Sequence, residues 1–262
     1  MYQRLWQLKQ LCLFTSISIL LLVLWLTPSI HGIIKQTDSA FFLILNQPLA
    51  KYPLWAYFWD VLSTRLSDLL SACVMLYFLI KGDFIFKKEQ TRQAFLGCLI
   101  LMILLLMVRV IFDKWVNTSG LQHASPSLVV PGAFRLTEHI PIWWHVLEPK
   151  DASNRSFPGD HASVLLVWAF FVSFYAKKWT HWVAIWLVTL FFMMPRLVAG
   201  AHWASDNYIG GVFLALMAFT WSIYTPLLYK VTQFLLNKTE CLFQFAQKIP
   251  IVNLLSVVKY KQ

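Results

Sequence analysis

AFLGCLILMILLLMVRVIF, residues 94–112, carries no charged side chain away from its C-terminal end. It is long enough to cross the ~30 Å hydrocarbon core of a bilayer as one α-helix. Five similar runs flank it: Leu11 to Thr27, Leu62 to Ile80, Ala162 to Ala176, Trp182 to Ala199 and Tyr208 to Leu228. The whole chain of 262 residues is 58% hydrophobic and 13% charged, with a mean hydropathy of +0.60. That composition excludes an ordinary soluble domain. It predicts an all-α integral membrane protein whose six transmembrane helices form one bundle. Pro28-Ser29-Ile30-His31 offers no small-x-small cleavage pattern, so the first run is expected to stay as an anchor.

Lysine and arginine placement sets the expected orientation, because short cytoplasmic loops collect positive charge. Arg4 and Lys9 precede the first run, and Lys81, Lys87, Lys88 and Arg92 separate the second from the third. Lys177 and Lys178 lie between the fourth and fifth, and Lys230, Lys238, Lys248, Lys259 and Lys261 follow the sixth. With both termini cytoplasmic, all of these share one face. On the other face Lys35, Lys51, Lys114, Arg135, Lys150 and Arg155 are offset by Asp38, Asp113, Glu138, Glu148, Asp151 and Asp160. The net charge of +10 then reflects topology and contact with anionic membrane lipids, not a nucleic-acid partner.

The expected organisation is a catalytic membrane domain over 1–228, with outer loops at 28–61 and 113–161, and a basic cytoplasmic tail over 229–262. In the tail, Phe234, Leu235, Leu242, Phe243 and Phe245 among lysines suit an amphipathic interfacial helix; a partly ordered tail is the alternative. Trp143-Trp144 suits a short helix on the outer leaflet. Arg65 and Asp68, three apart, are expected to pair, with lining of a substrate site as the other reading. Cys12, Cys73, Cys98 and Cys241 all fall outside the outer loops, so no disulfide is expected, and no spacing suggests a metal site.

The chemistry concentrates in two segments, Ser156-Phe157-Pro158-Gly159-Asp160-His161 and Pro195-Arg196 followed by His202 and Asp206. The topology alone puts His161 at the outer start of the fourth span, Arg196 at the outer end of the fifth, and His202 with Asp206 at the outer start of the sixth. Four residues, about one helical turn, separate His202 from Asp206, so the carboxylate is expected to take one imidazole N–H and leave the other nitrogen nucleophilic. The Arg196 fork can grip two phosphoryl oxygens. Pro158-Gly159 turns the chain into a helix start that favours an anion, and His161 there can protonate a leaving oxygen.

Arg196-x5-His202-x3-Asp206, preceded by Phe-Pro-x-x-His at 157–161, resembles the type 2 phosphatidic acid phosphatase superfamily, related in fold to vanadium haloperoxidases. The resemblance implies a six-helix bundle, a phospho-histidine intermediate, and neither metal nor cofactor. It assigns His202 as nucleophile, Asp206 as its orienting partner, Arg196 as phosphate ligand and His161 as general acid. Three departures stand out. The usual Pro-Ser-Gly-His is Pro158-Gly159-Asp160-His161, the usual Ser-Arg is Pro195-Arg196, and Lys-x6-Arg-Pro is absent. Lys114, His123, Lys150 and Arg155 are the candidates to complete the phosphate cradle, beside Ser156, Gly159 and Asp160. Asp160 stands where glycine is usual and is expected to select or orient the acceptor.

These departures, with Lys150-Asp151-Ala152-Ser153, Ala124-Ser125-Pro126, His31-Gly32, Asp38 and Asn46-Gln47, are similar to the lipid A 1-diphosphate synthase branch of that superfamily. The similarity implies an inner-membrane phosphotransferase that moves the distal phosphate of undecaprenyl diphosphate to lipid A 1-phosphate on the periplasmic side. The residues by themselves support attack on a lipid-borne phosphate by His202 and leave the acceptor open. A hydrolase of undecaprenyl diphosphate or another lipid phosphate is the alternative. A non-catalytic lipid-binding or transport protein is a remote one, since the third and fourth runs lack the midplane polar pathway it needs.

Overall fold

The computed structural model describes residues 1–2, 4–140, 149–250 and 252–259. The Trp143-Trp144 stretch lies outside the described residues. Within them the chain is helical, with no β-strand. In order, the helices are α1 (Leu8–Leu26), α2 (Pro28–Lys51), α3 (Pro53–Leu62), α4 (Arg65–Ile80), α5 (Thr91–Thr118), α6 (Pro126–Val129), α7 (Leu136–His139), α8 (Asp160–Tyr175), α9 (Trp179–Val198), α10 (Val212–Ile223), α11 (Leu227–Ala246) and α12 (Ser256–Lys259). A π-helical segment, Asp206–Gly211, leads into α10.

The centre of the bundle is α8, which packs against α4, α5, α9 and α10. Its Leu165, Val167, Trp168, Ala169, Phe171 and Val172 are buried, and it is apolar around its whole circumference. A helix of that kind belongs inside other helices. The outer helices turn apolar residues away from the protein instead: Leu13 and Leu20 on α1, Leu106 and Ile111 on α5, Leu187 and Leu190 on α9 are exposed. An exposed apolar belt of this extent fits a lipid environment.

The six expected runs do not all form single long helices. Among the described residues α1, α9 and the segment Lys88–Thr118 containing α5 are each long and apolar enough to cross a membrane. Two helix pairs meet the same criteria only when joined, and each is bent, α3 with α4 by 60° and the Asp206–Ile223 segment with α11 by 71°. The sixth run breaks because Thr225-Pro226 interrupts it: Pro226 has no N–H to continue the ladder. The central α8 has 16 residues, about 24 Å at 1.5 Å per residue.

The supposed outer loop at 28–61 is likewise helical. Pro28 and Pro53 each sit in the first turn of a helix, where their missing N–H costs nothing. Asn46 on α2 donates to the carbonyls of Phe134 and Val198, both at 3.0 Å, and accepts from the Phe134 N–H at 2.7 Å. The expected loop at 113–161 is shorter, because α5 runs on to Thr118.

Candidate active site

Three chain reversals build the site. The first ends α9: Gly200 has φ +84°, and the N–H groups of Ala201 and His202 both return to the Arg196 carbonyl, at 2.9 and 3.2 Å. A left-handed glycine closing a helix in this way lets the chain double back. It delivers His202 beside the last turn that carries Arg196. A Cβ at Gly200 would lie 2.7 Å from Phe42 and 2.8 Å from Ser127. The second reversal starts α8 at Gly159, whose N–H donates to the Asp206 carbonyl at 3.0 Å; a Cβ there would lie 2.4 Å from Asn207. The third is the break between α3 and α4, where the Ser63 carbonyl accepts from Arg196 at 2.5 Å and from the Lys150 N–H at 3.0 Å. Irregular backbone at such a place persists where it lines a polar cavity.

His202 is almost fully buried. Its Nδ1–H donates to the Ser156 carbonyl at 2.8 Å, which turns Nε2 toward Asp160, whose Oδ1 lies 3.3 Å away but off the line of a hydrogen bond. Asp206 approaches Nδ1 only to 3.7 Å. The four-residue spacing does not act as a helical turn, because His202 sits in the bend before the helix begins. The orienting bond therefore comes from the Ser156 backbone. Asp206 instead accepts from the Trp203 N–H at 2.8 Å, from His123 Nε2 at 3.0 Å and from the Ser156 hydroxyl. Burial alone would push the His202 pKa down, but the Asp160 and Asp206 carboxylates outweigh it and raise it to about 9. Burial likewise opposes the charge on His123, and the Asp206 carboxylate beside it wins, moving its pKa up.

Arg196 is buried, and its fork is engaged. One arm reaches the Ser63 carbonyl, and the other donates to both oxygens of Asp68, at 3.0 and 2.9 Å. Asp68 thus pairs with Arg196 across the fold, and Arg65 and Asp68 both line the site cavity, as the second reading of these two residues has it. His161 donates from Nε2 to the Phe192 carbonyl at 3.0 Å and presents Nδ1 to Asp68 at 3.5 Å, so Nδ1 is the atom free to exchange a proton. Arg109 of α5 joins Asp160 at 3.0 Å and Asp113 at 3.5 Å.

These groups surround a cavity of about 590 Å³ lined by Arg65, Asp68, Arg109, Lys150, Asp151, Asp160, His161 and Arg196. Four cations converge on it, and two carboxylates, Asp68 and Asp160, occupy donors that a bound phosphate would need. Along Asp68, His161 and Val164 the cavity adjoins a groove of about 430 Å³ between α4, α5 and α8, walled by Met75, Leu76, Leu79, Phe95, Leu99 and Met102. Charge at one end and hydrocarbon along the other is the shape a lipid phosphate requires.

Of the cradle residues expected from sequence, Lys150 lines this cavity and Asp160 joins it. Lys114 and Arg155 are exposed and do not line it. His123 lines a separate cavity of about 230 Å³ with Trp25, Lys35, Asp38 and Trp203. Ser156 and Gly159 shape the site through Asp206. Arg109 was absent from the sequence candidates, although a lone cation one turn from the end of an apolar run carries a signal: such a charge persists only where it is paired or lines a polar site. The segments Ala124-Ser125-Pro126 and 151–153 knit to each other, Ser125 N–H to the Ser153 carbonyl at 2.8 Å and Ser153 N–H to Ser125 Oγ at 2.9 Å. Asp38 accepts from the Ser205 N–H at 3.2 Å, bracing the turn that holds His202.

A buried histidine with a phosphate-sized cationic cavity and an adjoining apolar groove is the equipment of a lipid phosphoryl-transfer enzyme. Residues 124–229 match the model of the PAP2 superfamily, and this match supports a lipid phosphatase or phosphotransferase. Among its relatives is the lipid A 1-diphosphate synthase of Escherichia coli (strain K12), 27% identical over 224 residues that cover 84% of this chain and 89% of the relative. No solved structure matches the chain.

Proposed function

We propose that this protein transfers the distal phosphate of undecaprenyl diphosphate to lipid A 1-phosphate through a phospho-histidine on His202. The observation that carries this reading is the single cavity holding His202's partner Asp160, His161 and four cations, continuous with an apolar groove. A diphosphate headgroup entering it meets Arg65, Arg109, Lys150 and Arg196, whose charge offsets that developing on the transferred group. Asp68 yields Arg196, and Asp160 yields Nε2. Neutral His202 then attacks the distal phosphorus in line, the bridging P–O bond breaks, and His161 passes the proton on Nδ1 to the departing oxygen. In the second half, the 1-phosphate of lipid A takes the place of the departed lipid phosphate, gives a proton back to Nδ1 of His161, and its oxygen attacks the phosphorus on His202 as the P–N bond breaks. The resulting 1-diphosphate leaves, and the histidine is restored.

The orientation follows from the charge ladder: an inner-membrane protein with both termini cytoplasmic and the cavity open to the periplasm. Transfer in place of hydrolysis is assigned to Asp160, which excludes water from Nε2 until an anionic acceptor arrives. The test uses purified protein with undecaprenyl diphosphate labelled in its distal phosphate, with and without lipid A. Labelled lipid A 1-diphosphate is expected with the acceptor. Free phosphate as the sole product under both conditions would leave the hydrolase reading. In the same assay Asp160→Gly should move product from transfer toward hydrolysis, and an unchanged ratio removes Asp160 from acceptor selection.

A further inference from the structure

At the far end of the bundle, α11 breaks from α10 by 71°. One side of it is held by α5. Arg92 pairs with Glu240 at 3.1 Å, its guanidinium lies 4.2 Å from the centre of the Phe243 ring, and it donates to the Val257 and Val258 carbonyls at 3.0 and 2.9 Å. Gln247 adds a bond to the Val258 carbonyl at 2.7 Å, while Leu228 and Thr232 are buried. Leu235 and Phe243, grouped by sequence with the exposed aromatics, therefore turn toward the protein.

The other side of α11 is left exposed by the described residues. At 100° per residue, Lys230, Phe234, Lys238, Cys241 and Phe245 fall within about 40° of one line along the helix, and Lys248 follows in the turn just past its end. All six are exposed. Phe234 is 59% and Phe245 64% exposed. No acidic residue shares the stripe: Glu240 is turned to Arg92. From Arg92 to the cavity residue Arg109, α5 advances 17 residues, about 26 Å and close to a bilayer core. The stripe thus lies near the leaflet opposite the cavity.

We infer that α11 lies on the bilayer and binds the anionic headgroups of that leaflet through the Lys230, Lys238 and Lys248 stripe, with Phe234 and Phe245 inserted below them. The charge pattern selects this partner. Lysines at intervals of about two turns with aromatic rings between them match a headgroup layer over hydrocarbon, and the lysine stems can extend along the rings while their ammonium groups reach the headgroups. Lys238 already lies 5.9 Å from the centre of the Phe234 ring.

Cys241, in the middle of the stripe, is a native labelling position once Cys12 and Cys73, the other exposed cysteines, are changed to serine; Cys98 is buried. The full-length protein, labelled there with a polarity-sensitive dye, is placed in phosphatidylcholine vesicles with and without phosphatidylglycerol. With the anionic lipid, the dye should shift to the blue, lose access to iodide and be quenched more by lipids spin-labelled near the headgroup than near the chain end. Changing the three lysines to glutamine should cut that quenching by about twofold or more. Phe234→Ala with Phe245→Ala, which leaves the Arg92 contacts in place, should cut it too. Equal iodide access in micelles and in anionic vesicles would overturn the inference. So would protection that rises with protein concentration in detergent alone, which indicates a second copy as the partner.

Discussion

Replacing Asp160 with asparagine removes one of the two carboxylates that hold a proton on His202. Asp160 Oδ1 is 3.3 Å from Nε2, a separation at which opposite unit charges attract by about 5 kcal/mol at an effective dielectric of ~20, before desolvation. With a pKa of about 9, His202 is neutral in only about 1% of free molecules at pH 7. The nucleophile must be neutral while the general acid His161 is protonated, so kcat/KM of the wild type should hold a plateau and fall as pH rises through about 9, since this parameter reports the free enzyme. Loss of one close carboxylate typically lowers such a pKa by about one to three pH units. In Asp160→Asn that fall should begin at a correspondingly lower pH, whatever the height of the plateau. Thermal stability gives a second reading. A folded pKa raised above the ordinary 6.5 contributes stability that is complete below 6.5 and lost as pH rises through about 9. The wild-type Tm should therefore decline across that window, and Asp160→Asn should decline less. An alkaline limb and a Tm slope that both stay where they are in the variant would refute the coupling.

Other perturbations test the rest of the site. Gly200→Ala meets both a φ of +84° and a Cβ 2.7 Å from Phe42, so it should cost about 1–3 kcal/mol of stability, whereas Gly120→Ala, at φ +67° in open space, should cost about 1. Comparative thermal unfolding in one detergent checks the order, and equal losses would remove the packing argument. Arg196→Lys keeps the charge and loses the fork; kcat/KM should fall about 10²–10³-fold, and a fall under tenfold would mean that a point charge suffices. Ala72→Trp places an indole in the groove beside Ser71 and Met75. It should impair turnover of a long-chain lipid diphosphate while sparing a short-chain analogue, and equal loss on both would separate the groove from the substrate.

Most of the site was legible in the sequence because its parts sit at helix ends, and helix ends follow from where apolar runs stop. His161, Arg196 and His202 could be brought to one face by counting spans. The spacing between His202 and Asp206 misled, since a four-residue offset reads as a helical turn only if both residues are in the helix, and Gly200 places His202 before it starts. For Arg65 and Asp68 the i,i+3 offset offered a local pair or a lining of the site; the fold puts both in the cavity wall and adds Arg196 as a partner of Asp68, which no spacing along the chain reveals. Arg109 was hidden by its apolar surroundings. The helix α2 went unread because Lys35, Asp38 and Asn46 dilute its hydropathy. Asp38 and Asn46 face other parts of the protein, the Ser205 backbone for Asp38 and the Phe134 and Val198 backbone for Asn46, not a lipid surface.

The central claim is a phosphoryl group carried on His202, and rapid mixing with distal-labelled undecaprenyl diphosphate, quenched in alkali, tests it most directly. The account predicts acid-labile, alkali-stable label on the peptide containing His202, discharged into lipid A 1-diphosphate when lipid A is added and absent from His202→Ala. Product formation with no label ever on the protein, or label that survives in His202→Ala, would contradict it.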